Sequence, residues 1–333
     1  MSATGAEPLD FSPPRWLRSP HIQSILASAP LRRPAMRRRV AAMLAASRPE
    51  IIDCGDGVRL LGQFSSRAPG LGASRDVAIL LHGWEGSADS LYILSLAGSL
   101  YDRGWDVLRL NLRDHGDTHD LNVDLFHSCR IAEVVGAVAR MQQLRPDARL
   151  ALAGFSLGGN FALRVGARAA AAGLRLRRIV SVCPVLDPRI SMNVLENGPA
   201  LYREYFIYKW KRSLRLKQAA WPHHYRFDDL LASRSLMEMT DVLVRRYADF
   251  PDLETYLGGY AITGQALGTL ETPSRIITAF DDPIILAGDL KHMGRVPALS
   301  ISLTRYGGHC GYVETPLGCN WIDRTLVAEL EKD

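Results

Sequence analysis

The clearest candidate for a chemical role in this chain is a serine that lies between two glycines. Ser156 lies in the segment GFSLG, residues 154–158, after an apolar run typical of a buried strand and before a run with helical spacing. A G-x-S-x-G segment between a strand and a helix predicts a nucleophile elbow, a tight turn that projects the serine from the carboxyl edge of a sheet. The alternative interpretation is a glycine-rich turn whose serine only caps the following helix.

A serine hydroxyl becomes a good nucleophile only when a base takes its proton. His309 is the predicted base, because it lies in the glycine-rich segment YGGHCGYVE directly after the last apolar strand; the alternative is a loop histidine with no role. The base needs an anionic partner that fixes its tautomer. Asp282 in FDDPII is the predicted partner, and Asp281 stays the alternative because the sequence does not determine the loop geometry.

Attack on a carbonyl creates a negatively charged oxygen, which backbone N–H groups can stabilise. We predict two such donors, the N–H of Leu157, which follows the serine, and the N–H of Trp84, in the loop after the apolar segment VAILLHG. His82 in the same loop is interpreted as a structural histidine that braces it.

His115, Asp117 and His119 in HGDTHD have a spacing that could hold a metal ion. A polar loop is the preferred interpretation, because no further set of histidine or carboxylate ligands is apparent. We therefore expect no metal, and serine chemistry of this kind requires no organic cofactor.

Apolar strands alternate with helical segments along most of the chain. This alternation predicts an α/β fold with a mostly parallel central sheet and helices on both faces. The predicted strands are two within 51–64, then 76–84, 105–113, 148–156, 176–185, 274–282 and 298–306. The predicted helices are 90–104, about 120–144, 157–173, one near 285–293 and one at the C-terminus.

Composition divides the chain into an extension, a core and an insertion. Residues 1–50 are rich in proline and arginine and predict an extension that packs on the core, which comprises 51–185 and 263–333. Residues 186–262 contain helical, aromatic and basic segments and no convincing strand. We interpret them as a cap or lid, because they follow a strand end where sites in such sheets lie. The alternative is a helical layer without function. Four aromatic residues of this insertion could line an acyl pocket or simply form the core of the cap: Tyr202, Tyr205, Phe206 and Trp210.

The bulk composition favours a globular protein of the cytoplasm. The chain is 47% hydrophobic, carries a net charge of +5 and has five scattered cysteines with no CxxC spacing. Neither a secretory signal nor an apolar run long enough to cross a bilayer is evident.

An arginine-rich segment, residues 31–48, could bind phosphate groups, although a solvated helix or tether is preferred. It lacks interleaved aromatic residues, which argues against nucleic acid, whereas peripheral contact with a membrane stays open. The sequence indicates no oligomeric state.

Several segments together resemble the YheT-like branch of the α/β-hydrolase superfamily. They are PPRWLRSPHIQSIL, HGWEGSADSLY, NLRDHGDTHDL, GFSLGGNFALR, FDDPII and YGGHCGYVE. The resemblance extends from about residue 12 to the end and is weakest in the insertion. It implies the α/β-hydrolase fold, with Ser156 as nucleophile, Asp282 as acid and His309 as base. Asp114 stands where such relatives usually have glycine.

The resemblance implies an enzyme that hydrolyses carboxylic acyl esters, as esterases and lipases do. The expected substrate is a small-molecule or lipid ester, cleaved through an acyl-enzyme. The same acyl-enzyme would also serve an acyltransferase or a thioesterase. A non-catalytic binding protein on the hydrolase fold is a further alternative, although such proteins usually lack one member of the triad.

Overall fold

The computed structural model describes residues 6–67, 76–315 and 320–332, and within them nine strands form a single sheet. The strands are β1 (Glu7–Pro8), β2 (Ser47–Asp53), β3 (Arg59–Ser65), β4 (Asp76–Leu81), β5 (Asp106–Leu110), β6 (Arg149–Phe155), β7 (Leu176–Val182), β8 (Ser274–Ala279) and β9 (Leu299–Thr304). The helices are α1 (Pro20–Ser28), α2 (Arg33–Arg39), α3 (Ala41–Ala46), α4 (Leu91–Asp102), α5 (Ile131–Leu144), α6 (Leu157–Gly166), α7 (Pro188–Asn197), α8 (Ala200–Ala220), α9 (Asp228–Ala232), α10 (Leu236–Tyr247), α11 (Leu253–Gly258) and α12 (Trp321–Leu330). Short 3-10 segments lie at Arg15–Leu17, Pro30–Arg32 and Ala287–His292.

The sheet has the strand order β1-β9-β8-β7-β6-β4-β5-β3-β2. Every neighbouring pair is parallel except β5 with β3 and β3 with β2, which are antiparallel. Carboxyl ends of parallel strands meet at one edge of a sheet, so the loops after β4, β6, β8 and β9 converge there. These loops contain the candidate site residues.

The central strands are apolar because both faces of the sheet are covered. Successive side chains of a strand point to opposite faces. In β4, Ile79 packs into one apolar cluster and Leu80 into the other, and both are fully buried. The predicted α/β architecture with helices on both faces is confirmed.

Five helices, α7 to α11, occupy the connection between β7 and β8. A buried ion pair joins this insertion to the core, with Lys217 Nζ of α8 lying 2.8 Å from Asp114 Oδ1. Only about 1% of the Lys217 side chain and 5% of the Asp114 side chain are exposed. Asp114 therefore contributes to holding the insertion on the core.

Two predicted helices differ most from the observed elements. Helix was expected from about residue 120, but α5 begins at Ile131. In the preceding segment, Lys217 Nζ donates hydrogen bonds to the carbonyl oxygens of Asn122 and Asp124 at 2.6 and 3.1 Å. These two oxygens face the ammonium group and do not accept hydrogen bonds within a helix. The helix expected near 285–293 is only the short 3-10 segment.

The N-terminal segment contains more regular structure than an extension suggests. Strand β2 already begins at Ser47, and β1 adds to the sheet beside β9. Residues 1–5 of the predicted extension and Cys319 lie outside the described residues. None of the helices in the described ranges is both long and apolar enough to cross a membrane.

Candidate active site

Ser156 occupies the sharp turn between β6 and α6, with a positive φ of 53°. A non-glycine residue with positive φ is strained, and such strain is characteristic of functional turns. A Cβ at Gly154 would lie 2.2 Å from the Gly158 carbonyl oxygen, and a Cβ at Gly158 would lie 2.3 Å from the Leu81 carbonyl oxygen. Both glycines are thus required because backbone passes directly against them, which explains the spacing in the sequence.

Three side chains from three loops form one chain of hydrogen bonds. Ser156 Oγ lies 2.9 Å from His309 Nε2, and His309 Nδ1 lies 2.8 Å from Asp282 Oδ2. Since an ionised carboxylate only accepts hydrogen bonds, Nδ1 carries the proton and Nε2 is free to accept one from the hydroxyl. This arrangement is able to move the Ser156 proton to His309.

The two adjacent aspartates have different partners. The second oxygen of Asp282 accepts hydrogen bonds from the N–H groups of Ile284 and Ile285 at 2.8 and 2.9 Å. Asp281 Oδ1 instead accepts the N–H of Gly308 at 2.9 Å. Asp282 therefore contacts the imidazole, and Asp281 contacts the backbone of the loop that carries it.

The pKa of His309 results from two opposing effects. Burial alone lowers the pKa of this imidazole, but the charge of Asp282 and its hydrogen bond outweigh burial and raise the pKa above its usual value. A base with a raised pKa is a stronger proton acceptor, provided that the pH keeps it neutral.

Helix α1 supports the histidine loop, a role that the sequence did not indicate. Ser24 Oγ accepts the N–H of His309 at 2.8 Å. The fully buried Gln23 accepts the N–H of Val313 at 2.7 Å and donates to its carbonyl oxygen at 3.0 Å. The available signal was SPHIQS in the N-terminal motif, whose polar residues lie on this helix.

The two predicted oxyanion donors belong to residues that line the same pocket as the serine. Leu157 is the first residue of α6, and the loop after β4 passes so close that a Cβ at Gly83 would lie 3.2 Å from Ser156 Cβ. Within the described ranges, the N–H groups of Trp84 and Leu157 donate to no protein acceptor. Both therefore stay predicted donors to a ligand oxygen.

Two buried histidines connect the loops after β4 and β5. His82 donates from Nδ1 to Gly83 O at 2.8 Å and accepts the N–H of Leu112 at 3.1 Å, and burial lowers its pKa to about 4. His115 accepts the N–H of Glu85 at 3.2 Å and lies 2.6 Å from Arg113 O. Both rings are neutral and hold the two loops together, which agrees with the interpretation of His82 as a structural histidine.

The H-x-D-x-H segment does not converge on one point. Both ring nitrogens of His115 contact backbone groups, whereas His119 Nε2 lies 2.8 Å from Ser213 Oγ on α8. Cys183, His309 and Cys310 do lie within 4.8 Å of one another. Both nitrogens of His309 are already engaged by Ser156 and Asp282, and burial raises the Cys310 pKa well above its usual value, so that thiol is protonated.

An apolar pocket extends from Ser156 and His309 to the underside of the insertion. Its empty space of about 810 Å³ includes open solvent, and its lining is mainly apolar with a few polar side chains, as is typical of small-molecule sites. Apolar side chains from α7, α10 and the loop after β8 contribute to its walls: Met192, Leu195, Leu243, Val244, Ile284 and Ile285.

The four predicted pocket aromatics have different positions. Phe206 and Trp210 line the pocket together with Trp84, whose ring stacks on Phe206 with centroids 5.0 Å apart. Tyr202 and Tyr205 are not among the lining residues. The Tyr202 hydroxyl pairs with His21 on α1, and Tyr205 is 46% exposed.

Similarity to known proteins extends over most of the chain. A family model described as alpha/beta hydrolase fold matches residues 77–300. YheT of Escherichia coli strain K12, named as a candidate esterase, is 24% identical over 307 residues, which cover 91% of this chain and 87% of YheT. Phospholipase ABHD3 of Mus musculus is 22% identical over 269 residues, 76% of this chain and 63% of ABHD3. The solved structure of the esterase Pf2001 of Pyrococcus furiosus is 15% identical with a TM-score of 0.54, covering 86% of this chain and 91% of that one.

Proposed function

The chain belongs to the alpha/beta hydrolase fold family, and we propose that it is a serine hydrolase that cleaves carboxylic acyl esters through an acyl-enzyme. The hydrogen-bonded chain from Ser156 through His309 to Asp282, at 2.9 and 2.8 Å, carries the proposal. A fold alone does not define a function, so the site must carry the argument. The esterase and phospholipase names of two relatives support the choice of esters.

In the first step, His309 Nε2 accepts the Ser156 hydroxyl proton as Oγ bonds to the ester carbonyl carbon. The carbonyl oxygen becomes negatively charged, and the N–H groups of Trp84 and Leu157 stabilise it, each by about 3 kcal/mol in the transition state. The carbon–oxygen bond to the alcohol then breaks. His309 gives its proton to the departing alcohol, and the acyl group stays on Ser156.

In the second step, a water molecule gives a proton to His309 as its oxygen bonds to the acyl carbon. The Ser156 ester bond breaks, the proton returns to Oγ, and the carboxylic acid leaves. Asp282 stabilises the protonated imidazole in both steps and stays ionised. No metal or organic cofactor takes part in this scheme.

The pocket supports an apolar acyl group. Its walls near Ser156 are formed by aliphatic and aromatic side chains of the core and the insertion, among them Leu157, Phe206 and Trp210. Burying a CH₂ group in such surroundings is favourable by about 0.8 kcal/mol. We therefore expect acyl chains of several carbons to be preferred over acetyl groups.

An ester panel tests this function. Purified protein is assayed with p-nitrophenyl esters of increasing acyl length and with thioesters, and Ser156→Ala serves as the blank. The proposal predicts hydrolysis that depends on Ser156 and rises with acyl length. Products are also analysed with competing alcohols: acid as the main product supports hydrolysis, and ester as the main product supports acyl transfer. Equal turnover by Ser156→Ala contradicts the proposal.

A cytoplasmic location stays a prediction from the sequence.

A further inference from the structure

Exposed apolar side chains are concentrated beside the candidate active site. Thirteen large apolar side chains are exposed in the described parts of the chain, and seven of them lie in residues 16–31 or 201–208. Their exposed fractions are highest for Leu31 at 71% and Tyr208 at 67%. Single exposed apolar residues are ordinary on protein surfaces, but a concentration of them marks a contact site.

The outer face of α8 carries the clearest part of this concentration. Its exposed residues at intervals of four, three, four and three form one stripe along the helix: Leu201, Tyr205, Tyr208, Arg212 and Arg215. This spacing keeps side chains on one face of an α-helix. The first three are apolar or aromatic and the last two are arginines. We call this set the α8 stripe.

Helix α1 extends the apolar surface next to the α8 stripe. Ile22 and Ile25, 40% and 45% exposed, lie three residues apart on α1. His21 Nδ1 lies 2.8 Å from the Tyr202 hydroxyl, so the two helices are in contact. Ser28 at the end of α1 lies near the Tyr205 side chain.

The same two helices border the candidate site on their other sides. Ser24 of α1 accepts the N–H of His309, and Phe206 and Trp210 of α8 line the pocket. The Tyr205 ring, on the stripe, lies 5.4 Å from the Phe206 ring. A binding partner on this surface would therefore lie close to the pocket.

Positive charge predominates on and near this surface, although Glu204 is also exposed between Leu201 and Tyr208. Helix α8 contains six basic residues and one acidic residue, and residues 32–39 contain five arginines and no acid. Some of these charges are already paired within the protein. Lys217, for example, is buried in an ion pair with Asp114. Arg33, Arg37 and Arg38 are exposed, and Arg33 lies close enough to Lys209 for their charges to repel.

We propose that the α8 stripe and the exposed face of α1 bind an anionic lipid surface, from which the pocket takes its ester. The uptake of an ester by the pocket rests on the proposed function, whereas the binding of the lipid surface does not. Tyrosine is enriched where proteins meet the membrane interface, and arginine is attracted to anionic headgroups. A second copy of the chain is a poorer occupant, because a two-fold contact would bring together two copies of the same net-positive helix.

The full chain is tested by cosedimentation with vesicles of phosphatidylcholine, alone and mixed with phosphatidylglycerol, at low and high salt. The expected result is retention on the anionic vesicles at low salt, weaker retention at high salt and little on phosphatidylcholine alone. Two stripe variants are compared with wild type: Leu201→Ser with Tyr208→Ser, and Arg212→Glu with Arg215→Glu. Each should lower the partition coefficient at least tenfold. The matched control is Ile51→Ser with Leu144→Ser, which removes apolar residues that are 51% and 38% exposed elsewhere.

The stripe variants should hydrolyse a soluble p-nitrophenyl ester at the wild-type rate. Vesicle binding equal to wild type in both stripe variants, or an equal loss in the control, overturns the proposed surface. Sedimentation without lipid that shows a dimer, broken by the stripe variants, also overturns it in favour of a second copy. If the wild-type protein hydrolyses no soluble ester but Ser156→Ala still binds vesicles, the proposed function fails and the surface stands.

Discussion

The Asp282 carboxylate contacts His309 through one oxygen and the backbone through the other. Oδ2 lies 2.8 Å from His309 Nδ1, and Oδ1 accepts two backbone N–H groups. The carboxylate is therefore held in place independently of the histidine. Asp281, one residue earlier, contacts Gly308 in the same loop but not the imidazole.

We predict that Asp282→Asn lowers kcat by about 10⁴, because an amide in this position favours the wrong imidazole tautomer. Asp281→Asn changes no contact of the ring, so its effect should stay within about tenfold. Steady-state kinetics with one p-nitrophenyl ester compare the two variants. A larger loss in Asp281→Asn would assign the acid to the other residue.

The rate should rise with pH through the pKa of His309. The base must be neutral to accept the Ser156 proton, and the pKa of this imidazole is raised above 6.5, so kcat/KM should reach half its maximum above that pH. In Asp282→Asn the carboxylate charge is lost while burial persists, so the residual activity should show an inflection at lower pH. A pH–rate profile of each protein measures this. An unchanged inflection in the variant would show that Asp282 does not set the pKa.

Filling the pocket should change the preferred acyl length. Leu243 lines the pocket from α10, so Leu243→Trp should lower kcat/KM for long acyl esters at least tenfold and spare acetyl esters. Met237 lies on the same helix but is 37% exposed, so Met237→Trp is the matched control. Equal losses for short and long esters in Leu243→Trp would place the acyl group elsewhere.

Breaking the buried ion pair should destabilise the protein. Lys217→Met leaves the Asp114 charge uncompensated and should cost about 3–5 kcal/mol of unfolding free energy. Arg203→Met, on the same helix, removes a partly exposed pair with Glu204 and should cost less than about 1 kcal/mol. Urea denaturation measures both, and equal midpoints in the two variants would count against an anchoring role for Lys217.

The sheet and the positions of Ser156, Asp282 and His309 relative to it could be predicted from local sequence. The elbow was recognisable because the close backbone approaches at Gly154 and Gly158 admit no side chain. Apolar strands indicate a covered parallel sheet, and parallel strands bring their carboxyl ends together. The residues after those strands could therefore be named before their geometry was known.

Contacts between distant segments could not be predicted. Ser24 and His309 are 285 positions apart, and nothing local to either residue indicates their hydrogen bond. Before α5, the carbonyl oxygens of Asn122 and Asp124 accept hydrogen bonds from Lys217, which lies about a quarter of the chain away. Tyr202 and Phe206 lie one turn apart on α8, yet only Phe206 lines the pocket, because the direction of each depends on how α8 packs against α1 and the core.

The most direct test of the central claim is peptide mapping by mass spectrometry after reaction with a fluorophosphonate. The Ser156–His309–Asp282 arrangement predicts one stoichiometric adduct on the peptide that contains Ser156, at a rate that falls at least a hundredfold in His309→Ala. An adduct on a different residue, or an unlabelled Ser156 in protein that actively hydrolyses esters, would contradict it.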